Sequence, residues 1–497
     1  MYIKKENIHL LYEHINVLKC SLTSLSLPRL LPRDVLEKIS EIEMEHLTQL
    51  MIDGCEMNLD CTLFCKFKLK QLRLTEIITV EAFSALAKNE NLYNLTSLDL
   101  SISQSTVESI EILSNSLIFS NLTCLIMEHN HIDDEMVKIL TKCKYLSKIR
   151  KLNLFANDIG NVGLLHISSC EYLRQLNHLD LRRNSFTDIG IGYLSNSSNM
   201  QNLEYLDLSR NVLSGDSAIL LSNSQYLTNI KSINLTSNSL GYSCVKEISK
   251  FKQLEELKLC NNDLNQESME IISKSFTKLK VLDLSDNPIM EGASHLQNLP
   301  NSNLIHLDLS LCKLPIKCIV DLSMSDSILN VKKLYLGFNQ IGDEGVMLIS
   351  SSLYNLTHLF LPFSNITSRG VKYLCDGVLD RIELLDLANN MIGNEGLTYI
   401  SQCNNFSYLE YLYLDINILI SDLSELLFVN GNLQNLKHIS ARKCMIVKLI
   451  EKSDENISLP LLEFLDISKN KFEKSELSKL MKKTSILPCT LSLVILY

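Results

Sequence analysis

The chain has 497 residues, 46% hydrophobic and 21% charged, which is close to ordinary globular usage. With 16 Gly, 8 Pro and no Trp it is neither collagen-like nor low in complexity. A formal net charge of −10 without a basic stripe argues against a nucleic-acid binder, and no apolar run is long enough to span a membrane. The 15 cysteines are odd in number and scattered from Cys20 to Cys489, a usage that suits reduced thiols in a cytoplasmic compartment better than a disulfide framework.

Residues 1–21 carry Leu10, Leu11, Ile15 and Leu18 at helical spacing and are expected to form an amphipathic N-terminal cap. They lack the unbroken apolar stretch of a secretory signal. From there the pattern L-x-x-L-x-L-x-x-N-x-L recurs every 22 to 27 residues. Its 18 copies begin at Leu22, Leu47, Leu69, Leu95, Leu122, Ile149, Leu176, Leu203, Ile230, Leu254, Leu279, Leu304, Val331, Leu356, Ile382, Leu409, Leu436 and Leu462. The ninth position is Asn in 11 of them and Cys in three: Cys55, Cys312 and Cys444. Residues 22–480 are therefore expected to be one solenoid of about 18 units, because a repeat lengthens an existing core instead of starting a new one. Residues 481–497 are left as a C-terminal cap or tail, with the apolar stretch from Leu487 read as a last strand-like cover.

The spacing dictates the unit. Leucines at the fourth and sixth positions alternate with polar residues, which is the period of a strand with one face buried. The ninth-position Asn enters a buried turn, where its amide can satisfy backbone groups that would otherwise lack partners. Val346, Ile349 and Leu353, or Leu397 and Ile400, then show helical periodicity, and Gly opens this stretch in Ile341-GDEG and Ile392-GNEG. A single unit cannot bury its apolar side alone, so units stack and their strands form one parallel sheet, about 80 Å along its arc at about 4.8 Å per strand.

The unit length, the strand-turn-helix order and the I-G-x-x-G turn resemble the ribonuclease-inhibitor-like subfamily of leucine-rich repeats over about residues 22–480. The resemblance implies an α/β horseshoe with the parallel sheet on the concave face, helices on the convex face and no cofactor. The Asn-, Ile-, Ser- and Lys-rich wording is similar to that of leucine-rich-repeat effectors that intracellular bacteria deliver into host cells. Leu31-PRDVLEKI, residues 31–39, resembles the opening of an F-box, the module that joins substrate receptors to ubiquitin ligases, and also fits the helix of the first repeat. GTPase-activating proteins built on this repeat subtype carry an acidic tail, which is not found here.

No nucleotide-binding loop, nucleophile elbow, zincin motif or C-x-x-C pair is found. Cys55, Cys61 and Cys65 lie near His46, but their spacing fits no zinc module and they read as core or turn cysteines. A binding module for a protein partner, monomeric and without catalytic machinery, is the first expectation; an adaptor such as a GTPase activator or a ubiquitin-ligase receptor is the alternative. Fifth positions face the open side of the sheet. There Asp99, Asn153, Asp180, Asp207, Asn234, Asp283, Asp308, Asp386 and Asp466 form an acidic row, which reads first as the common wording of the repeat and second as a site for a basic ligand. Departures from that wording mark the candidate site. Tyr335, Phe360 and Tyr413 replace Asp, Phe338 and Phe363 follow three positions on, His358 and Tyr411 flank them, and stacking is expected to gather most of them into one hot-spot patch. Arg182, Arg183 and Arg210 beside Asp180, Asp207 and Phe155 form a second candidate, open to a partner or to pairing within the chain.

Overall fold

The computed structural model of the chain describes residues 21–27, 37–39, 41–54, 66–75, 78–300, 303–428, 432–450, 459–484 and 492–494. The expected cap helix, the first part of the F-box-like stretch and Cys55, Cys61 and Cys65 lie outside them; Glu37–Ile39 is helical. The chain divides into two compact halves, Met1–Leu240 and Gly241–Tyr497.

The N-terminal half contains strands β1 (Ser24–Leu27), β2 (Gln49–Asp53), β3 (Gln71–Thr75), β4 (Ser97–Asp99), β5 (Cys124–Ile126), β6 (Lys151–Asn153), β7 (His178–Asp180), β8 (Tyr205–Asp207) and β9 (Ser232–Asn234). Each pairs in parallel with the next, and equivalent positions are in register, as in Asp180 opposite Asp207. The C-terminal half continues the same plan with β10 (Glu256–Lys258), β11 (Val281–Asp283), β12 (His306–Asp308), β13 (Lys333–Tyr335), β14 (His358–Phe360), β15 (Leu384–Asp386), β16 (Tyr411–Tyr413), β17 (His438–Ser440), β18 (Phe464–Asp466) and β19 (Ser492–Val494). These too are parallel neighbours in order. Each half is thus the α/β repeat solenoid that the sequence pattern implies, and each of the 18 repeat starts is followed by a strand at its third to fifth positions.

The core is the leucine spine. In the β8 repeat Leu203, Leu206, Leu208 and Leu213 are at most 1% exposed, and Leu356, Leu359 and Leu361 repeat this around β14. Each such side chain contributes about 1.5–3 kcal/mol by leaving water. The ninth-position amides close the turns between repeats. Asn157 Nδ2 donates to the carbonyls of Met127 and Leu154 at 2.9 and 3.0 Å, while its Oδ1 accepts from the N–H groups of Asn130 and Ile132 at 2.9 and 3.0 Å. Asn339 does the same with Leu309, Leu336, Cys312 and Leu314. Where Cys stands instead, as at Cys312, the thiol keeps the contact to the preceding repeat, reaching the Leu284 carbonyl at 3.3 Å.

Helices follow the turn and bury one face. Gly342–Ser352 buries Val346 and Ile349, and Asn394–Gln402 buries Leu397 and Ile400. The two glycines of I-G-x-x-G do different work. Gly342 has φ +62°, a left-handed turn, whereas Gly393 has φ −107° and caps a helix. The second glycine is sterically required: a Cβ on Gly345 would lie 2.6 Å from Ile341 Cγ2. At the C-terminus a helix, Lys474–Thr484, runs past residue 480, and β19 adds a strand after it.

Candidate protein-binding surface

Strand alternation puts the third, fifth and seventh positions of every repeat on the open face of the sheet. The eighth position follows them in the left-handed region, as at Arg183 (φ 52°), Arg210 (55°), Phe338 (59°) and Phe363 (53°). A residue with a Cβ costs roughly 1–2 kcal/mol there, which the buried ninth-position turn enforces.

The acidic row has a structural duty. Each fifth-position aspartate accepts the N–H two residues on, where the strand ends: Asp180 from Arg182 at 3.1 Å, Asp207 from Ser209 at 3.0 Å, Asp283 from Ser285 at 3.0 Å, Asp308 from Ser310 and Asp386 from Ala388 at 2.9 Å. Asn153 and Asn234 do this equally well, at 3.0 Å each. The aspartates are thus caps first. At β14 the seventh position is Pro362, which has no N–H, so the fifth position is released from capping and Phe360 stands there.

In the C-terminal half, two aromatic pairs form across β13 and β14. Tyr335 and Phe360 stack at 4.0 Å and 7°, and Phe338 and Phe363 stack at 4.4 Å and 17°. Phe338 and Phe363 are 47% and 46% exposed, while Tyr335 and Phe360 are half-buried. Between these rows the seventh positions are low: Gly337, Pro362 and Ala388. Gly337 is required there, since a Cβ would meet the Pro362 ring at 2.7 Å. His306 extends the first row by stacking on Tyr335 at 4.8 Å, and His358 flanks Phe360 on β14, its Nδ1 2.9 Å from Thr357 Oγ1. Burial, then Lys333, keeps His358 below the ordinary histidine range, and burial does the same for His306.

Tyr411 and Tyr413 are not part of this cluster. β15 lies between, presenting Leu384 and Asp386, so most of the expected residues gather in one patch and the two tyrosines stand apart from it. A second patch gathers Tyr411 and Tyr413 around His438 at 5.9 and 5.1 Å, with Phe464 stacked on His438 at 4.3 Å. Sequence reading missed His306, His438 and Phe464 because third positions were followed only beside a fifth-position aromatic of the same repeat, as at His358 and Tyr411, whereas these three stand in repeats whose fifth position is Asp308, Ser440 or Asp466.

In the N-terminal half Arg182 turns inward. Its Nε donates to Asp180 Oδ1 at 2.9 Å, its guanidinium also lies 2.8 Å from Asp180 Oδ2 and 3.6 Å from Asp207 Oδ2, and it stacks 4.5 Å over the Phe155 ring. Burial works against its charge, yet the two aspartates hold its pKa above the ordinary arginine value. Of the three candidate arginines, Arg182 is therefore committed within the chain. Arg183 and Arg210 remain exposed at eighth positions, without an ion pair among the described residues. Beside them His178 stacks face to face on Tyr205 at 3.8 Å, and burial, then Lys151, pushes its pKa down to about 4.

Among the described residues no three His, Cys, Asp or Glu side chains are grouped to hold a metal ion, and no helix is long and apolar enough to cross a membrane. Burial pushes the Cys244 and Cys444 thiols up to about 12, far from nucleophilic poise.

A family model described as "Leucine Rich repeat" matches residues 145–168, 199–222, 329–350 and 382–401, and another described as "Leucine Rich Repeat" matches 278–299. No curated protein matches the sequence. Three solved structures similar to this chain are the TLR13–ssRNA13 complex, an internalin from Listeria monocytogenes and a leucine-rich-repeat protein from Leptospira interrogans. The first is 20% identical with a TM-score of 0.43, over 91% of this chain and 68% of that one. The internalin is 18% identical with a TM-score of 0.37, over 87% and 93%, and the Leptospira protein 18% identical with a TM-score of 0.41, over 89% and 99%.

Proposed function

We propose that this chain, whose repeats match leucine-rich-repeat family models, is a binding module that holds a protein partner on the strand face, with Tyr335, Phe338, Phe360 and Phe363 as the anchor. The observation that supports this most is the pair of stacked rings at left-handed eighth positions, Phe338 and Phe363, each nearly half exposed. Exposed apolar rings oppose a free surface, so a function is the economical reason to keep them. Aromatic rings are the side chains most often found at interface hot spots. Tyr411 and Tyr413 supply a second contact with His438, and Arg183 and Arg210 a cationic one in the other half. His358 lines the first.

The unit of strand, turn and short α-helix supports placement in the ribonuclease-inhibitor-like subfamily. The compositional likeness to effectors delivered by intracellular bacteria supports a reading in which the partner is a host-cell protein and the working compartment the cytoplasm. The test is capture from host-cell lysate with the full chain as bait, beside Tyr335→Ala/Phe360→Ala and Arg183→Ala/Arg210→Ala baits. A partner retained by the wild type and lost with the aromatic variant, at equal melting temperature, supports the reading. A partner held equally by all three baits sinks this site.

A further inference from the structure

We propose that the face of β12–β15 is a site for an arginine side chain carried by an extended protein segment, its guanidinium lying on the Gly337–Pro362–Ala388 floor beside the aromatic rows and paired with Asp308, which neighbours Tyr335. The inference rests on the protein-binding reading above and names the chemistry that the partner presents.

Three observations carry it. The first is charge. Across the third, fifth, seventh and eighth positions of β11 to β15 stand four carboxylates, Asp283, Asp286, Asp308 and Asp386, against one ammonium, Lys333. None of these four aspartates has an ion pair among the described residues. Asp308 and Asp386 stand in register with Tyr335 and Phe360, one on either side of the aromatic pair. Burial, then Asp283, lifts the Asp308 carboxyl to about 6, and burial, then Asp415, lifts Asp386. A cation placed against either would reverse that penalty.

The second is precedent within the molecule. Where two such aspartates adjoin on β7 and β8, the repeat answers them with a seventh-position arginine, and a seventh-position arginine also serves two carboxylates around β17. Arg182 lies on Phe155 and between Asp180 and Asp207. Arg442 donates to Asp415 Oδ2 at 3.1 and 3.2 Å and comes within 3.9 Å of Asp466. On β12 to β15 the seventh positions are Ser310, Gly337, Pro362 and Ala388, none of which can supply a cation. A carboxylate and the rings of an arginine site are present, and among the described residues no arginine fills it.

The third is shape. Rings at fifth and eighth positions flank the seventh-position residues Gly337, Pro362 and Ala388, whose compact apolar surface, with the Pro362 ring lying against Gly337, is a floor for a planar group. Guanidinium is planar, weakly hydrated and able to pair bidentately with carboxylate, whereas a lysine ammonium is compact and strongly hydrated. The fit is therefore to arginine in particular.

The experiment uses the full chain and fluorescein-labelled nona-arginine and nona-lysine, read by anisotropy at physiological salt. Nona-arginine should bind at least fivefold more tightly than nona-lysine. Asp308→Asn and Tyr335→Ala should each weaken it at least threefold, while Asp216→Asn, an exposed acid on a helix of the other half, changes nothing. Asp308→Asn keeps the cap, as Asn153 and Asn234 show, so its melting temperature should not fall. Equal affinity for the two peptides, or insensitivity to Asp308→Asn, overturns the inference. If a captured partner then still loses binding to Tyr335→Ala but not to Asp308→Asn, the binding module stands without the arginine site. If it loses neither, both readings fall.

Discussion

The β6–β8 face and the β12–β15 face are built from the same repeat and finished in opposite ways. Both set carboxylates and rings on the open side of a parallel sheet. On the first, Arg182 covers Phe155 and neutralises Asp180 and Asp207, and the residues left outward are the cations Arg183 and Arg210. On the second the equivalent positions are Gly337 and Pro362, the carboxylates have no ion pair among the described residues, and the residues left outward are Phe338 and Phe363. The scaffold fixes where side chains stand; a single column, the seventh, decides whether a patch is closed by its own arginine or left for another chain.

If this comparison is sound, the two faces must rest on equal foundations. Asn184 and Asn339 are the buried amides beneath them, each donating to carbonyls of two adjacent repeats and accepting N–H groups from the repeat before. Alanine at either leaves several buried backbone groups unmet and should cost about 3 kcal/mol in urea unfolding. A large loss in only one half would mean that the faces are not equivalent platforms. Smaller in stability but decisive for function are Tyr335→Ala and Phe360→Ala. Each should weaken partner binding by about 1 kcal/mol or more, with thermal unfolding nearly unchanged. A collapse in melting temperature would make them core residues and remove the contrast.

The sharpest contrast is between two isosteric changes. Asp180→Asn breaks a bidentate pair with Arg182 and should lower stability by about 0.5–1 kcal/mol. Asp308→Asn should raise it, by about 1 kcal/mol at pH 7. The sign follows from the raised carboxyl. The folded value of about 6 lies above the ordinary 3.8, so the native state holds the proton more tightly and wild-type stability falls as pH rises between the two. The advantage of Asp308→Asn over wild type should therefore be full above pH 6 and vanish near pH 4. Melting curves of both proteins from pH 4 to 8 check it, and a constant gap would show that Asp308 is not penalised by burial.

Much of this was legible in the sequence. The repeat starts locate every strand from β1 to β18, because a period-2 leucine pattern has one register in which its apolar set is buried. The amide ladder was legible for the same reason: only a ninth residue of that type can serve two repeats. Tyr335, Phe338, Phe360 and Phe363 were legible as departures from the wording. What was not legible depends on neighbours across strands. That Arg182 is spent on its own aspartates, that Asp386 on β15 parts Tyr413 from Phe360, and that His438 joins Tyr411 to Phe464 are facts of register between repeats about 25 residues apart. The capping duty of the aspartates was hidden because the N–H they accept belongs to a seventh position with no motif of its own.

The smallest expected effect tests the comparison most directly, because it converts one face toward the other. Arg182→Ala uncovers Phe155 and leaves Asp180 and Asp207 without their cation, the condition of Asp308 beside Tyr335. Its cost in stability should be slight, about 0.5 kcal/mol, since a partly exposed pair contributes little against its own desolvation. The gain should appear in binding. Nona-arginine should acquire a second site in the N-terminal half, seen as a two- to threefold rise in affinity that Asp180→Asn abolishes and that Tyr335→Ala, in the other half, leaves in place. Arg183 and Arg210 oppose this by repulsion, which is why the expected rise is small and why adding Arg183→Ala should enlarge it. If uncovering the acids and the ring attracts no guanidinium at all, the seventh column is not what separates the two faces, and the open carboxylates of β12–β15 would need another explanation.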